Sequence, residues 1–155
     1  MLKQKLIFTI SLMTLLIADP PDWEVYPGDF EYTMAVTAKV YDQQANMDMG
    51  SENDVLGAFW QGECVGLAEA MEVPSFFGGG YAFLIQIYAD TEFGFEAYWD
   101  AIEFQYYNAD EEVVYAIAET ISFESDFIIG NLINPLMLHI IEQNNNTPPA
   151  AASTT

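Results

Sequence analysis

Apolar and polar residues alternate along much of this chain, and a period of two predicts β-strands with one buried face. The clearest case is the segment 31–41, in which every second residue is apolar: Tyr32, Met34, Val36, Ala38 and Val40. A loop follows, and residues 54–70 then form two short apolar runs separated by Gln61-Gly62. Two such runs around a two-residue turn predict a tight hairpin.

The second half of the chain continues the same pattern. Residues 81–89 are apolar on both faces, which predicts a central strand. Residues 98–118 predict a second hairpin that turns at 108–111, and residues 136–141 predict a closing strand. Strands therefore recur about every ten residues without a sustained helical period. We expect an all-β protein, an antiparallel β-sandwich of immunoglobulin-like or jelly-roll-like type with about eight strands.

The two ends of the chain differ in composition from its middle. Lys3 and Lys5, the apolar run 6–17 and Ala18 have the arrangement of a secretory signal peptide, and the run is too short to span a bilayer. Residues 142–155 are polar, rich in alanine and contain two prolines, as in a linker or disordered tail. We therefore expect a signal peptide at 1–18, one domain at 19–141, a tail at 142–155, and an extracellular or cell-surface location.

The acidity of the chain limits its partners. The formal net charge is −21, and if Lys3 and Lys5 leave with the signal, Lys39 alone opposes 24 acidic residues, so that the charge becomes 1 − 24 = −23. Such a chain repels nucleic acid and anionic membranes. Either the carboxylates form a solubility surface suited to saline water, or some of them bind divalent cations.

The loop after the first strand offers oxygen ligands for calcium. Hard cations take six to eight oxygen atoms, which carboxylates in a loop supply readily. The spacing departs from the EF-hand pattern, which places a ligand where this chain has Gly50. The alternative is a solvated acidic loop stabilised by Asx-turns. The candidate calcium ligands are Asp42, Asp48, Glu52 and Asp54.

The residues available for catalysis are few. The expected mature chain has one histidine, one cysteine and one lysine, and it has no arginine. A Cys64–His139 dyad would require two strand positions to meet, and each residue alternates with apolar neighbours, which favours a buried thiol and a structural histidine. A single cysteine also excludes an intramolecular disulfide. We predict that the protein is not an enzyme.

Aromatic residues provide two further candidate sites. Exposed rings stack on sugars, whereas buried rings belong to the core, and the pattern alone leaves both open for Trp60, Phe76, Phe77 and Trp99. The proline-rich segment 19–30 carries Trp23 and Tyr26, which either dock on a neighbouring subunit or fold back on their own domain.

Several short motifs resemble a known module. They are W-x-V-x-P-x-x-F-x-Y-x-M at 23–34, S-E-N-D-V-L-x-A-F at 51–59, G-E-C-x-G at 62–66, Y-A-F-L at 81–84 and I-x-F followed by D-x-I-I-G between 121 and 130. In this order they resemble a β-sandwich module of secreted, often multidomain proteins of Bacteroidota, many of which end in a type IX secretion sorting domain. This chain departs from them at Val65, where arginine is common. The resemblance implies a non-catalytic extracellular module and assigns no functional residue.

These observations predict a secreted structural or adhesive protein, such as a subunit of a filament or surface coat. Its partners would be copies of itself or other cell-surface components, with no nucleic acid and no membrane insertion after signal cleavage. The alternative is a carbohydrate-binding module for polysaccharide, in which calcium supports binding.

Overall fold

The computed structural model describes residues 21–90 and 102–141. The expected signal peptide, the expected tail and Trp99 lie outside these residues. Two short 3₁₀ turns occur at Pro27–Asp29 and Ser75–Phe77. The described strands are β1 (Tyr32–Asp42), β2 (Met47–Met49), β3 (Val55–Trp60), β4 (Glu63–Glu69), β5 (Met71–Glu72), β6 (Tyr81–Ala89), β7 (Ile102–Asn108), β8 (Val113–Ile121), β9 (Ile128–Ile129) and β10 (Leu136–Ile141).

The alternating segments become strands because each can bury one face. In β1 the residues at even positions from 34 to 40 point into the core, and in β6 those at odd positions from 83 to 89 do the same. The largest fully buried side chains come from five of the strands and the loop after β8, and include Tyr106, Phe83, Phe104 and Phe123. Phe83 and Tyr106 meet edge to face with ring centroids 5.9 Å apart, which adds a specific contact to the burial.

The strands form one continuous sheet that closes on itself. The order is β2-β1-β10-β8-β7-β3-β4-β6-β5, and β1 also pairs with β6, so that seven strands make a ring. The prediction of an all-β protein is confirmed. The described strands number ten rather than about eight, and the sheet closes into a seven-stranded barrel that is not clearly a two-sheet sandwich.

Ring closure depends on the length of β1. This strand has 11 residues, and its first part pairs with β6 from Tyr32 to Ala38. Its last part pairs with β10 from Ala38 to Tyr41, and with β2 from Val40 to Asp42. One strand therefore joins both ends of the sheet.

The expectation of a wholly antiparallel sheet is wrong at β1. Both β9 and β10 run parallel to it, whereas the other pairs are antiparallel. Alternation of apolar residues reports which face of a strand is buried, and it carries no information on the direction of the neighbouring strand.

Closure also changes how a neighbouring chain could pair with the sheet. The seven ring strands each have two neighbours, so only β2, β5 and β9 lie off the ring among the strands described. These have 3, 2 and 2 residues. Long unpaired edges invite strand addition, and the described part of this fold offers only short ones.

Over residues 21–90 and 102–141, no helix is both long and apolar enough to cross a membrane.

Candidate functional site

Three of the four predicted calcium ligands line one concave surface. Asp42, Asp48 and Asp54 border an open cavity of about 330 Å³, to which the β7–β8 turn adds Asp110 and Glu111. Glu52 is exposed and does not line this cavity. The sequence pattern missed the contribution of Asp110 and Glu111, because the pairing of β3 with β7 brings a turn more than fifty residues from Asp54 against the loop.

Asp54 is committed to hydrogen bonds within the protein. It is only 1% exposed, and its carboxylate accepts from the Ser51 N–H at 2.7 Å, the Ala109 N–H at 2.8 Å and the Ser51 hydroxyl at 3.2 Å. The buried Tyr106 hydroxyl also donates to it. Because a buried charge is tolerated only when its lone pairs are occupied, Asp54 is an anchor that joins the 51–54 turn to the β7–β8 hairpin.

The contact with Asp54 also affects the pKa of Tyr106. Burial, followed by the hydrogen bond and the charge of Asp54, raises the pKa of Tyr106 far above its ordinary value. Each of these effects disfavours the phenolate. Tyr106 therefore stays a hydrogen-bond donor over the whole physiological range.

Asp42 and Asp48, the other predicted ligands that line the cavity, also have partners within the protein. Asp42 accepts the N–H groups of Gln44 at 2.8 Å and Ala45 at 3.0 Å, an Asx-turn, and Asp48 pairs with Lys39. Within the described parts of the chain, no group of three or more His, Cys, Asp or Glu residues is arranged to hold a metal ion. Calcium binding by this loop stays a prediction.

Lys39 is the one lysine of the described segments, which contain no arginine, and it is buried. Its Nζ lies 3.2 Å from Asp48 Oδ2 and donates to the Gly79 carbonyl at 2.9 Å. The lysine thereby connects β1 to β2 and to the glycine-rich loop before β6. Since an ammonium has three donors and no acceptor, the Lys39 side chain can bind the Asp48 carboxylate and the Gly79 carbonyl at the same time.

The loop that Lys39 contacts displays two aromatic rings. Phe76 and Phe77 lie in the Ser75–Phe77 turn, where the Phe77 N–H donates to the Pro74 carbonyl at 2.9 Å. Their ring centroids are 4.2 Å apart, and the side chain of Phe76 is 78% exposed. We call Phe76 and Phe77 the aromatic tip. Of the aromatic residues predicted to bind sugars, these two are the exposed ones within the described residues, because Trp60 is buried in the core.

The N-terminal segment lies on its own barrel. Trp23 packs edge to face on Phe59, with ring centroids 5.3 Å apart, and its ring approaches the position that a side chain at Gly57 would occupy. Phe30 stacks on Tyr88 at 5.8 Å. Tyr26 is exposed and donates its hydroxyl to Glu24 at 2.5 Å. Within the single chain described, Trp23 thus packs on its own domain, and docking on a neighbouring subunit stays a prediction.

This placement predicts that Trp23 stabilises the monomer. Replacing a buried Trp with Ala costs about 3–5 kcal/mol, and we expect about 2 kcal/mol for the partly buried Trp23→Ala. Tyr26→Ala, which removes an exposed ring from the same segment, should change the free energy of unfolding by less than about 0.5 kcal/mol. Chemical denaturation measures both values. A Trp23→Ala variant that keeps its unfolding free energy but loses higher-order species would instead place this ring on a neighbouring subunit.

Cys64 and His139 lie on strands that are not neighbours in the ring, β4 and β10. The Cys64 thiol donates to the Gly66 carbonyl at 3.4 Å, and burial raises the pKa of the Cys64 thiol. His139 Nδ1 lies 2.5 Å from Glu119 Oε1, and the ring of Tyr41 meets its edge. Each residue thus has a structural partner.

A further surface covers the outside of β1, β6 and β9. Six of the side chains between the core-facing positions carry no charge, and on β1 they are followed by Lys39: Thr33, Ala35, Thr37, Leu84, Gln86 and Ile128. We call these six residues the neutral face. A shallow groove of about 240 Å³ runs between Ala35 and Thr37 on β1 and Leu84 and Gln86 on β6.

Comparison with known proteins gives no match to this chain among family models, curated proteins or solved structures.

Proposed function

We propose that this protein is a non-catalytic, extracellular structural or adhesive protein that makes contacts through the aromatic tip. The observation that carries the proposal is the exposure of Phe76 on a loop that is held in place at several points. Aromatic rings at binding surfaces supply much of the contact energy.

The loop that carries the aromatic tip is held by hydrogen bonds in the absence of a partner. Lys39 on β1 is bonded to the Gly79 carbonyl, and the Val73 N–H donates to the Gly80 carbonyl at 2.8 Å, so that the two ends of the loop are bonded to each other and one of them is bonded to β1. A rigid loop loses little conformational entropy on binding. This supports a role in which the tip presses against another surface.

The charge of the chain supports the choice of surface. With a formal charge of −21, the protein is repelled by other acidic surfaces, and salt only shortens the range of that repulsion. Uncharged aromatic rings are the part of this loop that can approach a neutral apolar or polysaccharide surface without desolvating a carboxylate.

A carbohydrate-binding module is the second candidate, and the same two rings favour it. Aromatic faces stack on the apolar faces of sugar rings, and Phe76 presents such a face. Calcium in the neighbouring acidic cavity would support this function, because Asp48 both lines that cavity and pairs with the lysine that holds the loop.

The experiment compares two surfaces. Protein depletion from solution is measured with octyl-coated beads and with insoluble cellulose or chitin, each with added calcium and with a chelator. We expect Phe76→Ala to weaken binding to the octyl surface about tenfold or more, since the lost ring area is worth about 2 kcal/mol. Ile133→Ala, at a similarly exposed position on another turn, serves as the matched control and should bind normally.

The variant Lys39→Met tests the preparation of the loop separately. It keeps both rings but removes the bond to Gly79, so we expect weaker binding than the parent even if the protein stays folded by its melting curve. Saturable binding to polysaccharide that depends on Phe76 would establish the carbohydrate-binding alternative. Binding to either surface that is unchanged in Phe76→Ala would contradict a role for the aromatic tip.

A further inference from the structure

The segment before β1 lies across the outside of the barrel. Trp23 packs on Phe59 of β3, and Phe30 stacks on Tyr88 of β6. Because β4 stands between β3 and β6 in the ring, the chain between these two contacts passes over three neighbouring strands. We call residues 21–30 the strap, and we call Trp23 and Phe30 its aromatic anchors.

The hydrogen bonds of the strap stay within the strap. The Trp23 N–H donates to the Pro21 carbonyl at 2.8 Å, the Asp29 N–H donates to the Tyr26 carbonyl at 3.1 Å, and the Tyr26 hydroxyl donates to Glu24. Among the residues that the structure describes, no hydrogen bond runs from the strap to a barrel strand. Release of the strap would therefore break side-chain contacts and leave every strand pairing intact.

Charge opposes the closed position of the strap. Glu24 and Asp29 of the strap line the same cavity as Glu63 at the start of β4. Like charges at exposed positions repel each other weakly, so each pair offsets only a small part of the contact that the aromatic anchors make. The closed strap is thus held mainly by two partly buried rings.

The strap lies beside the single cysteine of the chain. Cys64 pairs with Phe59 in the strand register, so its side chain points to the same face of the sheet as the ring on which Trp23 packs. Burial raises the pKa of the Cys64 thiol, so the reactive thiolate is scarce in the closed form. The thiol and the strap share one cavity of about 190 Å³, which is lined by Glu24, Val25, Tyr26, Asp29, Phe30, Glu63 and Cys64.

We propose that the strap releases from the barrel as a unit while the barrel stays folded, and that its release uncovers the Cys64 thiol. A segment with few buried contacts and no bonds to the strands opens at a lower free energy than the whole fold. Both aromatic anchors detach in this step, which also exposes Phe59 and Tyr88. The strap does not include the aromatic tip, so its release and the proposed function can fail independently.

The two anchors set the expected protection of the thiol. Partial burial of two aromatic rings predicts that the closed form outnumbers the open form by about 10- to 1,000-fold. Unfolding of a whole domain of ordinary stability would instead protect the thiol by roughly 5,000-fold or more. The measurement is the rate of alkylation by iodoacetamide, a neutral reagent that the acidic cavity does not repel, in buffer and in concentrated urea.

Three variants identify the route to the thiol. Trp23→Ala and Phe30→Ala should each accelerate alkylation about tenfold or more, because each removes one anchor. Trp23 gives the sharper test, since its ring does not line the cavity and its loss reaches the thiol only through the strap. Gly130→Ala is the control: Gly130 lies against the Thr37 carbonyl of β1, so this variant weakens the barrel and leaves both anchors in place. Its alkylation rate should stay within about twofold of the parent.

Urea below the unfolding transition gives a second measurement, which needs no variant. Release of a short segment exposes little surface, so the alkylation rate should rise less than about twofold per molar urea, whereas unfolding of the whole barrel would raise it about fivefold or more per molar. The proposal is overturned if Cys64 reacts in buffer as fast as in the unfolded chain, because the strap then covers nothing. A steep dependence on urea, equal acceleration in Gly130→Ala and Trp23→Ala, or acceleration by only one of the two anchor variants overturns it as well.

Discussion

Replacing Asp54 with alanine should lower the free energy of unfolding by about 4 kcal/mol. The carboxylate accepts hydrogen bonds from two backbone N–H groups and from the hydroxyls of Ser51 and Tyr106. Its removal leaves several donors without a partner at a site that is almost wholly buried, and each buried unsatisfied polar group costs about 1–3 kcal/mol. Urea denaturation of parent and variant measures the difference.

Two variants resolve how this loss arises. Asp54→Asn keeps the shape but loses the charge and half of the acceptor capacity, so we expect a smaller loss, about 2 kcal/mol. Tyr106→Phe removes one donor and leaves the carboxylate its other three contacts, so the loss should be about 1–2 kcal/mol. Combining it with Asp54→Ala should cost less than the sum, because both remove the same bond. Strict additivity would mean that the hydrogen bond between these two side chains contributes little.

The Tyr106 hydroxyl also gives this contact a pH signature. Because the pKa of Tyr106 is raised in the folded protein, the unfolded chain loses this proton first as pH rises. The contribution is therefore fully present below about pH 10, the ordinary tyrosine pKa, and declines above it. Tyr106→Phe should show a flatter alkaline limb in a plot of unfolding free energy against pH than the parent does.

Gly130→Ala should destabilise the protein by about 3–4 kcal/mol. Gly130 has φ +74°, and a Cβ there would lie 2.5 Å from the Thr37 carbonyl oxygen and 3.0 Å from the Leu136 nitrogen. The left-handed conformation costs a non-glycine residue about 1–2 kcal/mol, and the overlap with backbone atoms adds about 1–3 kcal/mol because backbone cannot rotate away. The expected result is a lower denaturation midpoint with an unchanged denaturant slope.

Gly62 supplies the matched control for that prediction. It has a similar left-handed conformation, φ +82°, but nothing lies within 4 Å of the position where its Cβ would be. Gly62→Ala should therefore cost only about 1 kcal/mol, the conformational part alone. Equal losses in the two variants would mean that the close approach of β9 and its turn to β1 contributes nothing beyond the backbone angle.

The alternation of apolar residues was enough to predict most strands of this protein. The pattern at 31–41 and the two-sided apolar run at 81–89 became β1 and β6, and the turn at Gln61-Gly62 connects β3 to β4. A strand pattern is local, because each residue points either to the core or away from it whatever the neighbouring strand is. The core positions of β1 follow for the same reason.

The candidate sites were less accessible to sequence reasoning, because a residue's role depends on contacts across the fold. The 42–54 loop suggested free carboxylates, yet Asp54 bonds to Tyr106, which lies 52 positions further along the chain. Phe76 and Trp60 are both large aromatic residues, and only the packing made one exposed and the other buried. The contact of Trp23 with Phe59 also depends on the fold, and the sequence pattern did not identify this partner.

The sequence by itself therefore determined that this is an acidic all-β chain, with strands at these positions and with these faces buried. Only the tertiary structure decided that β1 pairs with β6, β10 and β2 and so closes the sheet into a ring. The physical reason is that periodicity fixes the direction of side chains, whereas strand partners are selected by hydrogen bonds and packing between segments far apart in the chain. The neutral face also depends on the tertiary structure, because its residues come from three segments that are brought together by the pairing of β1 with β6 and β9.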